Sequence, residues 1–328
     1  MIARAARAVL WPGLLLVGAG TAPLGCATPA GDRIALNDGP FPGPRVLAVV
    51  AHPDDEIAFG GLLYKTATHL GGACDVLTIT NGEGGYKYST LAEPLYGLAL
   101  TDEAVGRRHL PAIRRRELSE GCRLLGVRRL ILLEETDHRY TLDVDELLGD
   151  GAAVWDVPRV ARILDEVLAE EGYDFVVTHA PVAETHGHHK AATVLALEAV
   201  ARLPVERRPV VLCVRGSSAE RPLEEPYVEL PGHPVTRVAP DAAPFVFDRT
   251  QKFGYRDRLD YRIVTNWAIA AHRSQGTMQL LMNRGERENY FPFAMNGDDA
   301  AGRAKTFFDR LAEPQFETPE SPEPAPAP

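Results

Sequence analysis

Short apolar runs alternate with longer amphipathic stretches along this chain. Val46–Val50 reads Val-Leu-Ala-Val-Val without a polar interruption, the pattern of a strand buried on both faces. Asp75–Thr80, Arg129–Leu133, Asp174–Thr178 and Pro209–Val214 repeat it. Between them the spacing predicts helices over Glu56–Leu70, Ala112–Leu125, Val157–Glu171 and His189–Leu203, with Gly126 and Gly172 as stops. A polar loop rich in Gly and Tyr runs from the second strand to about Leu110. Beyond the fifth strand the pattern predicts a strand pair around Pro226–Pro244 and a late helix over Tyr261–Leu281. No internal repeat is present. Strands alternating with helices imply an α/β fold: a Rossmann-like, doubly wound, mostly parallel sheet with helices on both faces.

The ends depart from this rhythm. Residues 1–26 read as an export signal, with Arg4 and Arg7 before an apolar stretch from Ala8 to Gly20 and small residues after it. That stretch is shorter than the roughly 20 residues of a spanning helix. Cys26 follows Leu24-Gly25, where a lipoprotein signal would be cleaved and a lipid anchor attached, although Pro23 stands where such signals usually carry leucine. Cleavage after Ala22 would give a soluble secreted protein instead. Either route implies an exported protein, periplasmic, anchored in the cell envelope or secreted. Residues 27–44 read as a linker and residues 45–311 as one folded domain. Residues 312–328, rich in Glu and Pro, read as a disordered tail.

Composition narrows the function classes. With 45% hydrophobic and 24% charged residues among 328, the chain is neither collagenous, wholly disordered nor polytopic. A net charge of −10 argues against a general nucleic-acid binder, because phosphate neutralisation needs a basic face. Four cysteines make no disulfide framework and no Cys-x-x-Cys zinc site. Cys74, Cys122 and Cys213 are expected to be buried thiols. The ten histidines matter more, because His186, His188 and His189 fall within four residues.

A doubly wound sheet binds ligands beyond the carboxyl ends of its strands. The polar clusters of this chain all fall there: Ala51-His-Pro-Asp-Asp-Glu56, Asn81-Gly-Glu-Gly-Gly85, Glu134-Glu-Thr-Asp-His138 and Glu184-Thr-His-Gly-His-His-Lys190. His52 and Asp55, three apart in a turn begun by Pro53, suit zinc, and the His186–His189 cluster supplies candidates for a third ligand. Three protein ligands leave a fourth position for water, as in catalytic zinc sites. Ligand type alone leaves Fe²⁺, Co²⁺ or Mn²⁺ open. Taken singly, Asp54 and Asp55 would serve equally well as helix caps, and the histidines as solvated first-turn residues.

These residues carry a resemblance. Ala51-His-Pro-Asp-Asp-Glu56 resembles the signature of the PIG-L/LmbE-like deacetylases, zinc enzymes that remove acetyl groups from N-acetylglucosamine-containing compounds. Thr80-Asn-Gly-Glu-x-Gly85, Arg114-x-x-Glu117 with Leu125-Gly-Val127, His186-x-x-His189 and His272-x-Ser-Gln275 resemble further motifs of that family. The likeness runs from about Arg45 to Gln275. It implies that His52, Asp55 and His189 hold Zn²⁺, that Asp54 is the general base, and that His186 faces the substrate carbonyl. It also implies that Arg114 and, more loosely, Asp137 contact the sugar of an N-acetylated amino-sugar substrate. The family's second motif usually reads His-Pro-Asp-His, whereas this chain has His186-Gly-His-His189. The acidic residue expected to tune His186 is therefore His188.

The implied reaction is hydrolysis of an acetamide. Asp54 takes a proton from a metal-activated water, and His186, if protonated, helps to stabilise the oxyanion. Two readings compete with it. One is a zinc amidase acting on another acylated amine. The other is an exported carbohydrate-binding protein that has lost catalysis. A nucleotide-dependent enzyme is disfavoured, because the first strand runs into His-Pro-Asp-Asp and not into a Gly-x-Gly-x-x-Gly turn. The loop tyrosines Tyr86, Tyr88 and Tyr96 would suit the apolar face of a sugar, and Tyr290, Phe291 and Phe293 are expected in the core.

Overall fold

The computed structural model describes residues 31–223, 227–240 and 243–315. Each apolar run of the sequence is a strand of one eight-stranded sheet. The strands are β1 (Asp32–Ala35), β2 (Arg45–Val50), β3 (Ala73–Thr80), β4 (Arg129–Glu135), β5 (Phe175–His179), β6 (Val210–Ser217), β7 (Phe245–Asp248) and β10 (Arg287–Pro292). A separate two-stranded ribbon is formed by β8 (Lys252–Phe253) and β9 (Leu259–Asp260). The order across the large sheet is β1-β4-β3-β2-β5-β6-β10-β7. The five central strands from β4 to β6 are parallel. β1, β10 and β7 join antiparallel at the edges. The fold is the mostly parallel, doubly wound α/β sheet that the alternation implied.

Side chains alternate across the strands into two cores. Val46, Ala48 and Val50 of β2 face one core, together with Leu118 and Cys122 of α2 (Glu103–Leu124), Val264 and Ala268 of α5 (Tyr261–Ala271) and Phe307 of α6 (Ala300–Ala312). Leu47 and Val49 face the other, together with Ile163 and Val167 of α3 (Val157–Glu171) and Leu195 and Ala199 of α4 (Gly187–Arg202). The chain winds first to one side of β2 and then to the other, so strand order reverses between β2 and β5. The crevice at that reversal is where such sheets bind ligands.

Several elements differ from the pattern reading. The stretch read as a linker supplies the edge strand β1, paired with β4. The helix expected from Ala112 begins at Glu103 and runs through Pro111; Asp102 caps it by accepting from the Val105 N–H at 3.0 Å. The helix expected over Glu56–Leu70 is a tight turn at Asp55–Phe59, α1 (Gly60–Tyr64) and a wider turn at Lys65–His69. Buried Glu288 accepts from the Gly61 and Leu62 N–H groups at 2.7 and 3.2 Å, so a carboxylate meets the positive end of α1. The described residues of the Pro226–Pro244 stretch make isolated bridges and no strand pair. Pro231, Pro234 and Pro240 punctuate it, and proline cannot donate to a ladder. The late helix ends at Ala271, well short of Leu281. Tyr290 and Phe293 are buried as expected, and Phe291 partly so. The leader with Cys26, and the tail from residue 316, lie outside the described residues. Among the described residues no helix is long and apolar enough to cross a membrane.

Candidate metal centre and active site

β2 ends at Val50, and the chain turns through Ala51-His-Pro-Asp-Asp55 at the switch point. Asp55 holds the turn from inside: its Oδ2 accepts from the Ala51 and His52 N–H groups at 3.1 and 2.7 Å. Across the crevice α4 starts with His186 as its cap, the Nδ1 of which accepts from the His188 N–H at 3.0 Å. His188 and His189 lie on the first turn and point to different neighbours. His189 Nε2 stands 3.0 Å from His52 Nδ1 and 3.2 Å from Asp55 Oδ1. His52 Nδ1 is 3.5 Å from Asp55 Oδ2.

This donor set fits a metal. Ligands placed tetrahedrally at about 2.0–2.1 Å from zinc stand about 3.3 Å from one another, close to the separations of His189 Nε2 from His52 Nδ1 and from Asp55 Oδ1. The ligating atoms of His52, Asp55 and His189 all lie within 4.8 Å of each other. Charge agrees. Of the buried groups lining the cavity, Asp54, Asp55 and Asp137 stand against Arg114 alone, a surplus of two negative charges that a divalent cation balances. Of the surrounding imidazoles, His52 is drawn upward: burial opposes its charge, but Asp137, Asp55 and Asp54 outweigh it. Burial, then His52 and His189, push His186 down to about 3. Burial likewise pushes His179, stacked on His189, down to about 4. Burial also opposes the charge on Asp55, but His189 and His52 outweigh it and hold that carboxyl well below the usual range.

The other sequence-predicted residues converge here. Asp54 lines the cavity, and its Oδ2 is 2.8 Å from Arg114 Nη2. Arg114 is buried and also donates to the carbonyls of Gly82 at 2.8 Å and Pro53 at 3.3 Å. It therefore braces the base as well as lining the cavity. The loop after β3 approaches so closely that a Cβ on Gly82, at φ +73°, would stand 2.5 Å from the Arg114 guanidinium, which is why that position needs glycine. Asp137 Oδ2 accepts from the Gly84 N–H at 3.2 Å. The late motif lies beneath the first. His272 Nε2 contacts Glu56 Oε1 at 2.5 Å, and Ser274 donates to buried Glu117 through its N–H and its hydroxyl. The turn that brings the Ser274 N–H to Glu117 is what ends α5.

His188 stands where the family motif carries an acid, and the His186 Nδ1 is occupied as an acceptor. The neutral ring with its proton on Nε2 is the form this site favours. The His188 ring lies 4.3 Å from that of His186, and its Nδ1 lies 3.0 Å from His52 Nε2. Sequence reasoning also passed over Tyr140, whose ring meets His186 edge-on at 4.8 Å, and His179. Position at the carboxyl ends of β4 and β5 was the available signal for both.

The cavity measures about 520 Å³ and is lined on its outer side by Tyr86, Tyr88, Arg107 and Tyr140. Tyr96 is turned away from it and donates to Glu117 at 2.8 Å. A second cavity of about 570 Å³ adjoins it, with Asp55, His189 and Met278 lining both. Ile57, Ile269 and Leu281 make its apolar wall. Cys74, Cys122 and Cys213 are buried free thiols, remote from either lining.

Comparison with known proteins agrees with this geometry. Residues 47–200 match the PIG-L family, described as GlcNAc-PI de-N-acetylase. A probable N-acetyl-alpha-D-glucosaminyl L-malate deacetylase 2 of Bacillus cereus is 29% identical over 170 residues, covering 52% of this chain and 67% of the relative. A 1D-myo-inositol 2-acetamido-2-deoxy-alpha-D-glucopyranoside deacetylase of Thermomonospora curvata is 32% identical over 158 residues, covering 44% of this chain. This chain spans only 46% of that relative's length. Among solved structures, the A40926 pseudoaglycone deacetylase Dbv21 aligns with a TM-score of 0.48 and 19% identity, over 77% of this chain and 98% of that one. Over residues 47–200 this chain is thus similar to the PIG-L family.

Proposed function

We propose that this protein is a metal-dependent hydrolase that removes the N-acetyl group from an N-acetylglucosamine-type glycoconjugate. The observation that carries the reading is the triad His52, Asp55 and His189 beside Asp54 in one cavity. The deacetylase names of the family and of its relatives support the same reaction class. Zn²⁺ is the metal this donor set suits best, and other divalent transition metals share the preference. A metal held there supplies Lewis acidity and an acidified water.

The protein's own groups do the rest. Arg114 takes one oxygen of Asp54, fixing the carboxylate so that the other accepts the proton lost by the attacking water. His186, neutral and protonated on Nε2, donates to the carbonyl oxygen as that atom gains charge. The proton on Asp54 then passes to the leaving nitrogen. Acetate and a free amine are the products. Arg114 and Asp137 line the cavity where sugar hydroxyls would be read, and Tyr86, Tyr88 and Tyr140 offer ring faces to the sugar. The export signal read in residues 1–26 would place that glycan in or beyond the cell envelope.

One observation favours a second reading, an amidase that removes a longer acyl group. An acetyl group is small, yet the second cavity adjoining Asp55 and His189 is as large as the first. A longer acyl chain would fill its apolar wall. The test is metal content and carboxylate release by the purified protein, on N-acetylated amino sugars and on the same sugars carrying longer acyl chains. One zinc per chain with acetate released establishes the deacetylase. Release only from the longer amides establishes the amidase. No metal bound under replete conditions overturns both.

A further inference from the structure

A metal-ligating histidine usually donates its second ring N–H directly to a carboxylate, which fixes its tautomer and orientation. His52 does not. Its Nε2 lies 3.0 Å from His188 Nδ1. His188 Nε2 lies 3.0 Å from His138 Nδ1. His138 Nε2 lies 3.1 Å from Glu146 Oε2. Three imidazoles thus connect the candidate metal centre to a carboxylate on the turn Asp145–Leu148.

The direction of this chain follows from its end. An ionised carboxylate only accepts, so His138 donates from Nε2. A neutral imidazole carries one proton, so His138 Nδ1 accepts and His188 Nε2 donates. By the same step His188 Nδ1 accepts and His52 Nε2 donates. The lone pair of His52 is left on Nδ1, the atom that faces His189 Nε2 and Asp55. The reverse direction fails, because it asks Glu146 to donate. Asp137 is a poorer anchor, with Oδ1 at 3.9 Å from His52 Nε2 and 3.5 Å from His188 Nδ1.

The chain is held at each link. His188 is fully buried, and its ring stacks on those of His52 and His138 at 5.1 Å and meets Trp155 at 5.3 Å. Arg139 Nη2 donates to the other oxygen of Glu146 at 2.8 Å. The hydrogen bond from His138 and the Arg139 charge both hold the Glu146 carboxyl below its ordinary range. Glu146 itself is partly exposed.

We propose that His188, His138 and Glu146 are positioning residues that act in series, relaying the polarity of the Glu146 carboxylate through two imidazoles so that His52 presents the Nδ1 lone pair to a metal. The inference rests on the metal-site reading of His52, Asp55 and His189.

Zn²⁺ titration of the metal-free full chain against a chromophoric chelator tests it. The parent should bind one zinc per chain. His188→Leu removes the acceptor of the His52 N–H and should weaken zinc about 10–100-fold. Glu146→Leu, a substitution at a partly exposed position, should weaken it about 10-fold. His188→Asp places an acceptor where His188 Nδ1 now stands, so it should restore parental affinity. In that background Glu146→Leu should cost nothing, because the relay has been bypassed. Such non-additivity separates a relay from a merely structural role. Unchanged affinity in Glu146→Leu, or an equal loss in both backgrounds, overturns the relay while the metal site stands. Two zinc ions per chain, with His188 as a ligand, also overturn it. A parent that binds no zinc overturns the relay together with the metal-site reading.

Discussion

Both ends of the parallel sheet bury a carboxylate, and they treat it in opposite ways. At the amino end Asp75 is fully buried on β3. It accepts from Arg128 Nε at 2.9 Å, Arg129 Nη2 at 3.0 Å and the Tyr173 hydroxyl at 2.6 Å. Glu171 completes the set, 2.8 Å from Arg128 and 3.0 Å from Arg129. Two guanidinium groups meet two carboxylates, and every strong acceptor has a donor. At the carboxyl end Asp55 meets imidazole nitrogens that also face each other at 3.0 Å. Among the buried groups there carboxylates outnumber guanidinium groups, and burial holds His179 and His186 below their ordinary range. A closed network of the first kind fixes structure. An open one of the second kind is a place where a cation could be held.

The comparison breaks most readily at the open end. His189→Ala removes one of three ligands and should abolish both stoichiometric metal binding and hydrolysis, read by metal analysis and acetate release. Asp54→Asn should behave differently. It leaves the triad intact, so metal content should match the parent while kcat falls about 10²–10⁴-fold, the range of a positioned base. A fully active Asp54→Asn protein would remove Asp54 from the mechanism. The contrast between the two variants separates holding the metal from using it.

At the closed end the expected effect is on stability alone. Asp75→Ala leaves Arg128, Arg129 and Tyr173 without their shared acceptor, and removing one partner of a buried ion network costs about 3–5 kcal/mol. Urea unfolding should show that loss, whereas zinc affinity of the folded protein should stay at the parental value. A change in zinc affinity would mean that the two ends are coupled through β3 and would dissolve the distinction.

The sequence disclosed the open end better than the closed one. Apolar runs place β2 to β6, and strand alternation puts every polar cluster at one edge of the sheet, which brings out His52, Asp55 and the His186–His189 cluster; the choice of His189 as ligand and the roles of Asp54 and His186 follow from the family resemblance. Much of the remainder depended on contacts that no local pattern encodes. Glu288 reads as an exposed charge, yet on β10 it is buried because it meets the N–H groups of Gly61 and Leu62 and the Arg249 guanidinium. β7 and β10 carry such residues and were missed for that reason. Pro111 hid the first two turns of α2, which are secured by the Asp102 cap and by Leu110 packing with Ala92, Leu100 and Ile113. In sequence His188 stands where the family motif carries an acid. The helix start sends its side chain to His52, because His186 stays outside the first turn as the cap.

Lys65 offers a third case and the smallest expected effect: a buried charge with no carboxylate within ion-pair distance among the described residues. Its Nζ donates to Gln251 Oε1 and the Glu313 carbonyl, both at 2.7 Å, and lies 5.3 Å from the centre of the Tyr261 ring. Burial outweighs the attraction of Glu313 and pushes its pKa down to about 8, against 10.5 for the free side chain. Below pH 8 the folded and unfolded chains are both protonated, and this group gives stability no slope. Between about pH 8 and 10.5 the unfolded chain binds a proton that the folded chain does not, so stability rises with pH. Comparison with Lys65→Met cancels every other titration in that window. The parent should gain on the variant by at most about 3 kcal/mol as pH rises through it, read as the difference between their urea midpoints. A difference that stays flat across the window would mean that polar contacts without a counter-charge hold an ammonium as well as a carboxylate does. The surplus charge at the open end would then no longer call for a metal.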